Sequence, residues 1–185
     1  MNMYYTLKVA GLERQLTLCP LNENLYIGAF IMFGDVELTV ACARELLSIA
    51  PEYDIMISAE SKGIPLVYEM ARQAGADNYI VARKMQKLYM SNTFSCEVNS
   101  ISTAKKQTLY LDGKDAEAMR GRRVLIVDDV ISTGDSLRAI EELVEQAGGI
   151  VVGKMAVLAE GDAKDRTDIQ YLSVLPLFDA EGKEI

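Results

Sequence analysis

The feature that most constrains the fold is the segment from Val124 to Leu137, which reads VLIVDDVISTGDSL. Its four apolar residues, Val124 to Val127, predict a buried strand, and the small hydroxylated residues after the two acids predict the start of a helix. The amino terminus of a helix has free backbone N–H groups, so it favours an anion such as a phosphate. Carboxylates repel a phosphate and suit sugar hydroxyls or a metal ion instead. The segment therefore predicts a site for a phosphorylated sugar.

Around this unit, short apolar segments alternate with segments of helical periodicity. The sequence predicts strands at about 54–58, 79–82, 107–111, 124–127, 150–158 and 169–175, and helices at about 35–49, 64–74 and 136–147. Such alternation is typical of an α/β fold with a doubly wound, mostly parallel sheet. Ligands bind beyond the carboxyl ends of the strands in these sheets, so the loops after Ser58, Ala82 and Val127 should meet at one edge.

The rest of the chain is expected to complete a single domain over residues 1–185, because this length is too short for two ordinary domains. Loose alternation at 3–9 and 14–19 predicts a hairpin around Gly11. Asp35 is expected to cap the first long helix, and Gly113 to form a turn. The polar segment from about residue 85 to 106 is either a disordered insertion or a lid.

Composition narrows the classes of function. The net charge of −8 argues against a surface that coats nucleic acid. Because the chain has no His, a general acid or base must be Asp, Glu, Lys, Tyr or water. Three cysteines without CxxC spacing predict reduced thiols. No apolar run approaches the roughly 20 residues that span a bilayer, and the start lacks a signal-peptide pattern, so we expect a cytoplasmic protein without a membrane partner.

Two other motifs fit parts of the sequence and are rejected. The stretch VLIVDD also resembles the first strand of a receiver domain, but too few residues follow Asp129 to complete one. Gly148 to Lys154 has the Gly-x4-Gly-Lys spacing of a P-loop, but Met155 replaces the Ser or Thr that would reach magnesium. We interpret these glycines as a turn that leads into a strand.

The segment from Val124 to Leu137 resembles the signature of the type I phosphoribosyltransferases, which bind 5-phosphoribosyl 1-pyrophosphate (PRPP). The resemblance implies that Asp128 and Asp129 contact the ribose hydroxyls. The family often has Gly or another small residue where Asp135 stands, so its side chain should point away from the phosphate. The residues that the resemblance assigns to the 5′-phosphate are Ser132, Thr133, Gly134, Asp135 and Ser136.

The loop after the strand at 54–58 is similar to the pyrophosphate-binding loop of the family. Its small residues and glycine let the backbone approach an anion, and Lys62 adds a positive charge. The same residues also suit an ordinary solvated loop. The residues that the resemblance assigns to pyrophosphate here are Glu60, Ser61, Lys62 and Gly63.

A second basic group, Arg83, Lys84 and Lys87, follows the strand at 79–82. Charge runs of this kind are often solvated surface. However, the group resembles an Arg-Lys-x-x-Lys run of adenine-type members, whose cations reach the pyrophosphate, often that of the neighbouring subunit. Recognition of phosphate favours Arg. The catalytic set implied by the resemblance is Lys62, Arg83, Lys87, Asp128 and Asp129.

The base site rests on a fainter match. Residues 32–36 resemble a Phe-Arg-Asp-Ile element whose ring stacks on adenine, which implies that Phe33 contacts the base, together with Val130. An aromatic face suits any purine. Phe33 fits equally well as a core residue before a helix cap. The resemblance also makes residues 85–106 a flexible lid, although Ala104 stands where adenine-type enzymes carry a Glu that relays a proton.

Taken together, the resemblance implies a purine phosphoribosyltransferase, closest to the adenine type, with a small hood formed by the N-terminal segment, residues 1–34, and the chain ends. It would form a nucleoside 5′-monophosphate and pyrophosphate from PRPP and a free base. Mg²⁺ would be held by substrate and water, with Asp128 and Asp129 nearby and no direct protein ligand. A homodimer is implied as well. The alternatives are a PRPP-binding regulator without turnover, and an orotate or xanthine transferase.

Overall fold

A computed structural model describes residues 3–98 and 107–185. In these two segments the strands are β1 (Tyr4–Val9), β2 (Leu12–Pro20), β3 (Tyr26–Gly28), β4 (Ile55–Ala59), β5 (Ile80–Ala82), β6 (Phe94–Val98), β7 (Gln107–Leu111), β8 (Arg123–Ile131), β9 (Ile150–Glu160), β10 (Gln170–Leu175) and β11 (Leu177–Phe178). The helices are α1 (Val36–Ile49), α2 (Ile64–Ala74), α3 (Gly113–Met119) and α4 (Asp135–Gln146), with a short 3-10 helix at Gly161–Asp165. No helix in these segments is both long and apolar enough to cross a membrane.

A parallel five-stranded sheet in the order β10-β9-β8-β4-β5 forms the centre of the fold, which confirms the predicted α/β architecture. Alternate residues of β8 point to opposite faces. Val124 and Ile126 pack in a core with residues of α3 and α4, whereas Leu125 and Val127 pack in a second core with residues of α1 and α2. Because both faces are covered, the central strands are continuously apolar rather than alternating.

A second sheet, the hood, has the order β1-β2-β3-β11 and is antiparallel. The hairpin predicted around Gly11 is confirmed as β1 and β2. The hood also takes a strand from the other end of the chain, because Leu177 pairs with Ile27 and Phe178 with Tyr26. The sequence did not indicate β3 or β11, since strands of three and two residues are too short to show a period.

Two segments differ from the prediction. Part of the polar segment at 85–106 is a strand, because β6 pairs antiparallel with β7 to form a hairpin. Residues 99–106, which include Ala104, lie outside the described residues. The turn predicted at Gly113 is wrong, since Gly113 is the first residue of α3. Only Ala116 and Met119 are buried there, and a seven-residue helix is too short to show a clear periodicity.

Asp35 links the hood to the main sheet. Its carboxylate accepts a 3.0 Å hydrogen bond from the backbone amide of Leu38, so it caps α1 as predicted. The same carboxylate accepts a 2.6 Å hydrogen bond from Arg14 Nε of β2. Arg14 holds the pKa of Asp35 below its usual value, and the amide of Leu38 adds to this effect. Asp35 is therefore ionised in the folded protein at neutral pH.

We expect Asp35→Ala to lower the free energy of unfolding by about 2 kcal/mol, because the substitution removes both a helix cap and a partly buried ion pair. Asp35→Asn retains a capping oxygen and should cost about half as much. The ionised carboxylate contributes to the free energy of unfolding, and this contribution is lost as the pH falls through the lowered pKa of Asp35. Urea denaturation should therefore show the gap between wild type and Asp35→Asn shrinking from pH 7 to pH 3.

Glu37→Gln is the matched control, because Glu37 contacts the same guanidinium at 2.8 Å but is largely exposed. We expect it to cost less than about 0.5 kcal/mol. A gap between wild type and Asp35→Asn that is constant with pH would contradict the assigned ion pair.

Candidate active site

The two acids predicted to follow the central strand lie inside it. β8 pairs with β4 only as far as Ile126, but with β9 as far as Ile131. β8 therefore continues past its last pairing with β4, and Asp128 and Asp129 lie in this extension. Backbone pairing with β9 keeps the extension in the sheet, while the loop after β4 takes the place of a neighbouring strand.

That loop, residues 60–63, contacts both acids. Lys62 Nζ lies 3.0 Å from Asp129 Oδ2, and the Asp129 side chain is 5% exposed. A Cβ atom on Gly63 would collide with the hydroxyl of Ser58 and lie 3.2 Å from Asp128 Oδ1, so this close approach requires glycine. The Glu60–Ser61 peptide bond in this loop is cis. The loop and the acids therefore form one site.

The loop after β5 is held against residues 60–63 by Glu60. The Glu60 carboxylate accepts a 2.9 Å hydrogen bond from the amide of Lys84 and pairs with Arg83 at 3.2 Å. The Lys84 amide is the main cause of the lowered pKa of Glu60, and Arg83 adds to it. Arg83 also exchanges two 2.8 Å backbone hydrogen bonds with Tyr110 of β7. Of the three predicted cations here, Lys84 lines the cavity beside the two acids, whereas Arg83 and Lys87 do not.

Two adjoining cavities lie at this edge of the sheet. The first is lined by Ala59, Glu60, Ser61, Lys62, Lys84, Leu109, Asp128, Asp129, Val130 and Ser136. The second is lined by Asp128, Val130, Ile131, Ser132, Thr133, Gly134, Asp135, Ser136 and Leu137. The loops after β4, β5 and β8 thus meet at one edge, as the rule for parallel sheets predicted.

The loop between β8 and α4 curves around the second cavity. Gly134 has a positive φ of 81°, a conformation that glycine adopts without strain, and α4 begins at the next residue. The carboxylate of Asp135 accepts a 2.8 Å hydrogen bond from the hydroxyl of Thr133. Asp135 is therefore hydrogen-bonded within its own loop.

Burial and a neighbouring charge both raise the pKa of Asp128. Burial raises its pKa well above the usual value, and the negative charge of Asp129 raises it further. The backbone amide of Asp129 donates a 2.9 Å hydrogen bond to Asp128 Oδ1, which opposes the shift. Asp128 therefore holds a proton at a higher pH than an ordinary carboxyl group.

One acidic residue of the site was missed in the sequence. Glu160 is the last residue of β9, next to the pairing of Ile131 with Ala159. Burial raises its pKa, whereas a hydrogen bond from Ser132 and the charge of Lys62 lower it. Because the predicted strand stopped at residue 158, Glu160 was not recognised as a strand-end residue. A longer strand would have placed it at the ligand-binding edge.

The two predicted base contacts are in different places. Val130 lines both cavities. Phe33 is half exposed and lines neither of them. Its neighbours Met32 and Gly34 line a separate, more apolar cavity at the start of α1, with Tyr68 of α2 on its other side. The contact of Phe33 with a base thus stays a prediction.

We expect Asp128→Asn to raise the free energy of unfolding at pH 8 by about 1 kcal/mol, a typical gain when a strained site group is replaced. The folded-state pKa of Asp128 is raised, so its ionisation destabilises the protein as the pH rises above the range of an unfolded carboxyl group. At pH 4, where the wild-type group is largely protonated when folded, the gain should be much smaller. Urea denaturation at both pH values measures it.

Asp77→Asn, at an exposed position, is the control for this comparison and should leave the free energy of unfolding within about 0.5 kcal/mol of wild type. A stabilisation by Asp128→Asn that grows towards acid pH would show that the assigned direction of the pKa shift is wrong.

The comparisons with known proteins agree with this geometry. Residues 38–181 match the phosphoribosyl transferase domain. The hypoxanthine/guanine phosphoribosyltransferase of Methanococcus voltae is 32% identical over 135 residues, which are 73% of this chain and 68% of that protein. The adenine phosphoribosyltransferase of Petrotoga mobilis is 30% identical over 132 residues, which are 69% of this chain and 70% of that protein.

Solved structures share the fold as well. The crystal structure of adenine phosphoribosyltransferase from Thermoanaerobacter pseudethanolicus superposes with a TM-score of 0.64, over 77% of this chain and 83% of that chain, at 24% identity. At that identity the likeness supports the fold alone, while the family follows from the matched domain and the sequence relatives. The chain belongs to the phosphoribosyltransferase family.

Proposed function

We propose that the protein is a purine phosphoribosyltransferase, with adenine as its preferred base. It would form a nucleoside 5′-monophosphate and pyrophosphate from PRPP and a free base. The observation that carries the proposal is the 3.0 Å contact between Lys62 and Asp129. This contact puts a cationic loop and paired acids in one cavity, next to a hydroxylated loop at the start of a helix, as a phosphorylated sugar with a pyrophosphate group requires.

Each part of PRPP has a matching part of the site. The 5′-phosphate would accept hydrogen bonds from the loop at 132–136, and the ribose hydroxyls would donate to Asp128 and Asp129. The pyrophosphate would lie against residues 60–63, with Lys62 as its nearest cation and Lys84 in the same cavity. The bond from C1′ to the pyrophosphate oxygen breaks and its electron pair leaves with pyrophosphate, while the base nitrogen bonds to C1′ and releases its proton to water. Catalysis would come mainly from positioning and charge stabilisation of a sugar cation.

The Lys62–Asp129 pair would change partners when PRPP binds. A buried carboxylate without a partner is costly, and in this structure Lys62 supplies that partner. The pyrophosphate would attract Lys62, and a ribose hydroxyl would replace Lys62 as the partner of Asp129. The buried charge of Asp129 would then have a partner at every stage of binding.

The side chains fit a bound Mg²⁺ only in part. Asp128 and Asp129 offer the carboxylate oxygens that this ion prefers. Among the residues in the described ranges, no group of three or more His, Cys, Asp or Glu side chains forms a metal site. Mg²⁺ would therefore be held mainly by PRPP oxygens and water beside Asp128 and Asp129. When bound, it would offset charge that develops on the leaving pyrophosphate.

The preference for adenine rests on the adenine-type relatives and on the resemblance around Phe33, with Val130 as the second proposed base contact.

Arg83 and Lys87 are proposed to serve the site of a partner subunit in a homodimer. The β6–β7 hairpin would act as the lid, because Leu109 of β7 lines the first cavity. We propose that the enzyme is cytoplasmic, because no apolar run in the sequence approaches the length that spans a bilayer.

The second candidate is a PRPP-binding regulator without turnover. The observation that favours it is Ala104, which stands where adenine-type enzymes carry a proton-relaying Glu. The two candidates make the same prediction for PRPP binding and opposite predictions for chemistry.

We expect the double variant Asp128→Asn/Asp129→Asn to weaken PRPP binding by more than about 100-fold, because it removes two charged acceptors for sugar hydroxyls. Calorimetric titration with PRPP and Mg²⁺ measures the affinity. The control is Glu23→Gln/Asp77→Asn, which makes the same change in charge at exposed positions and should bind like wild type. Affinity of the acid-pair variant equal to that of wild type would refute the assigned ribose contacts.

The same preparations, assayed with adenine, hypoxanthine, guanine, xanthine and orotate, separate the candidate functions. Turnover that is fastest with adenine supports the proposed enzyme. Binding of PRPP without turnover of any base supports the regulator and overturns the enzyme. Turnover restricted to orotate overturns the purine assignment.

A further inference from the structure

The cavity assigned to the 5′-phosphate has acidic but no basic side chains among its described lining residues. A phosphate dianion would bind there, yet the charged residues among its described lining are Asp128 and Asp135, both acids. The amino terminus of α4 contributes only about half a positive charge. Asp135, at the first position of that helix, competes with a phosphate for the same charge. Positive charge from outside the cavity lining would resolve this conflict.

Arg166 is in a position to supply it. This residue follows the short 3-10 helix and reaches the phosphate loop from outside the Val124–Leu137 motif. Its NH1 atom lies so close to Gly134 that a Cβ atom there would collide with it, and Arg166 Cζ lies 3.4 Å from that Cβ position. The guanidinium group therefore packs directly on the backbone of the turn.

The orientation of Arg166 is held by a chain of ion pairs. Asp168 accepts hydrogen bonds from Arg166 Nε at 3.0 Å and from NH2 at 2.8 Å. Asp168 also lies 3.1 Å from Lys154 of β9, and Lys154 lies 2.8 Å from Glu141 of α4. Arg166, and then Lys154, hold the pKa of Asp168 well below its usual value. The two bonds to Asp168 engage one edge of the guanidinium and leave NH1 facing Gly134.

Arg138 is the other cation near this turn, and it is less well placed. Its NH2 atom is 3.5 Å from Asp135, and its side chain is 66% exposed, compared with 32% for Arg166. The charge of an exposed side chain is screened by water and salt. Arg166 is partly buried and donates two hydrogen bonds to Asp168, so it is the better-oriented cation behind the loop.

We propose that Arg166 is a positioning residue for the 5′-phosphate. It packs on the turn at Gly134 from behind and places a positive charge next to the loop, so that the loop can accept a dianion. The inference rests on the proposed function, since it assumes that this loop binds the phosphate of a phosphorylated sugar.

The test compares two anionic ligands that occupy different parts of the site. Full-length protein is titrated calorimetrically with ribose 5-phosphate and, separately, with inorganic pyrophosphate and Mg²⁺. We expect Arg166→Gln to weaken binding of ribose 5-phosphate about tenfold, the effect of losing one nearby fixed charge. Pyrophosphate binding should stay within about twofold of wild type, because that ligand occupies the loop at 60–63.

Arg166→Lys should recover part of the affinity for ribose 5-phosphate, since it retains the charge but cannot form the bidentate contact with Asp168. Asp168→Asn gives an independent variant that leaves residue 166 unchanged. It removes the bidentate contact that orients Arg166 but also removes a negative charge, so it should give a smaller loss than Arg166→Gln. The control is Arg120→Gln, which removes an exposed guanidinium paired with Glu117 in α3 and should change neither affinity.

Two results would overturn the inference. Unchanged affinity of Arg166→Gln for ribose 5-phosphate would show that the loop does not depend on this charge. Equal losses for both ligands, with the same loss in Arg166→Lys, would show a general structural effect. A wild-type protein that binds neither ribose 5-phosphate nor PRPP would instead refute the proposed function, and with it the basis of the inference.

Discussion

The structure depends on the unequal pairing of β8 with its two neighbours. Hydrogen bonds to β9 extend to Ile131, whereas those to β4 stop at Ile126. If both pairings ended together, Asp128 and Asp129 would lie in a free loop without defined positions. If both continued, a strand would fill the space that residues 60–63 occupy. The difference of a few residues therefore creates both the rigidity and the opening that a ligand site needs.

Charge is balanced locally throughout the site. Lys62 neutralises Asp129, Arg83 pairs with Glu60, and Arg166 faces the turn that precedes Asp135. The charge of Lys62 also lowers the pKa of Asp128, but burial and the charge of Asp129 outweigh it and raise that pKa. A protein of net charge −8 can bind a polyanion in this way, because the field at the site is set by the nearest groups rather than by the total.

The sequence was most informative where the signal was local. The strand at β4, helix α2 and the cap at Asp35 each follow from periodicity or a capping residue, and the structure agrees with them within a residue or so. Glu160 and Arg166 could not be found in the same way. Glu160 enters the site because β9 is longer than its apolar run, and Arg166 does so only through tertiary packing on Gly134.

The hood affects the order in which the contacts of the fold can form. Its inner strand, β3, can pair on one side with β2 soon after both leave the ribosome, but its other partner, β11, is synthesised about 150 residues later. Contacts that span so much sequence are slow to form. We therefore expect the pairing of β11 with β3 to form after the main sheet. Because this pairing has only two residue pairs, we also expect it to be among the first contacts to open during thermal fluctuation.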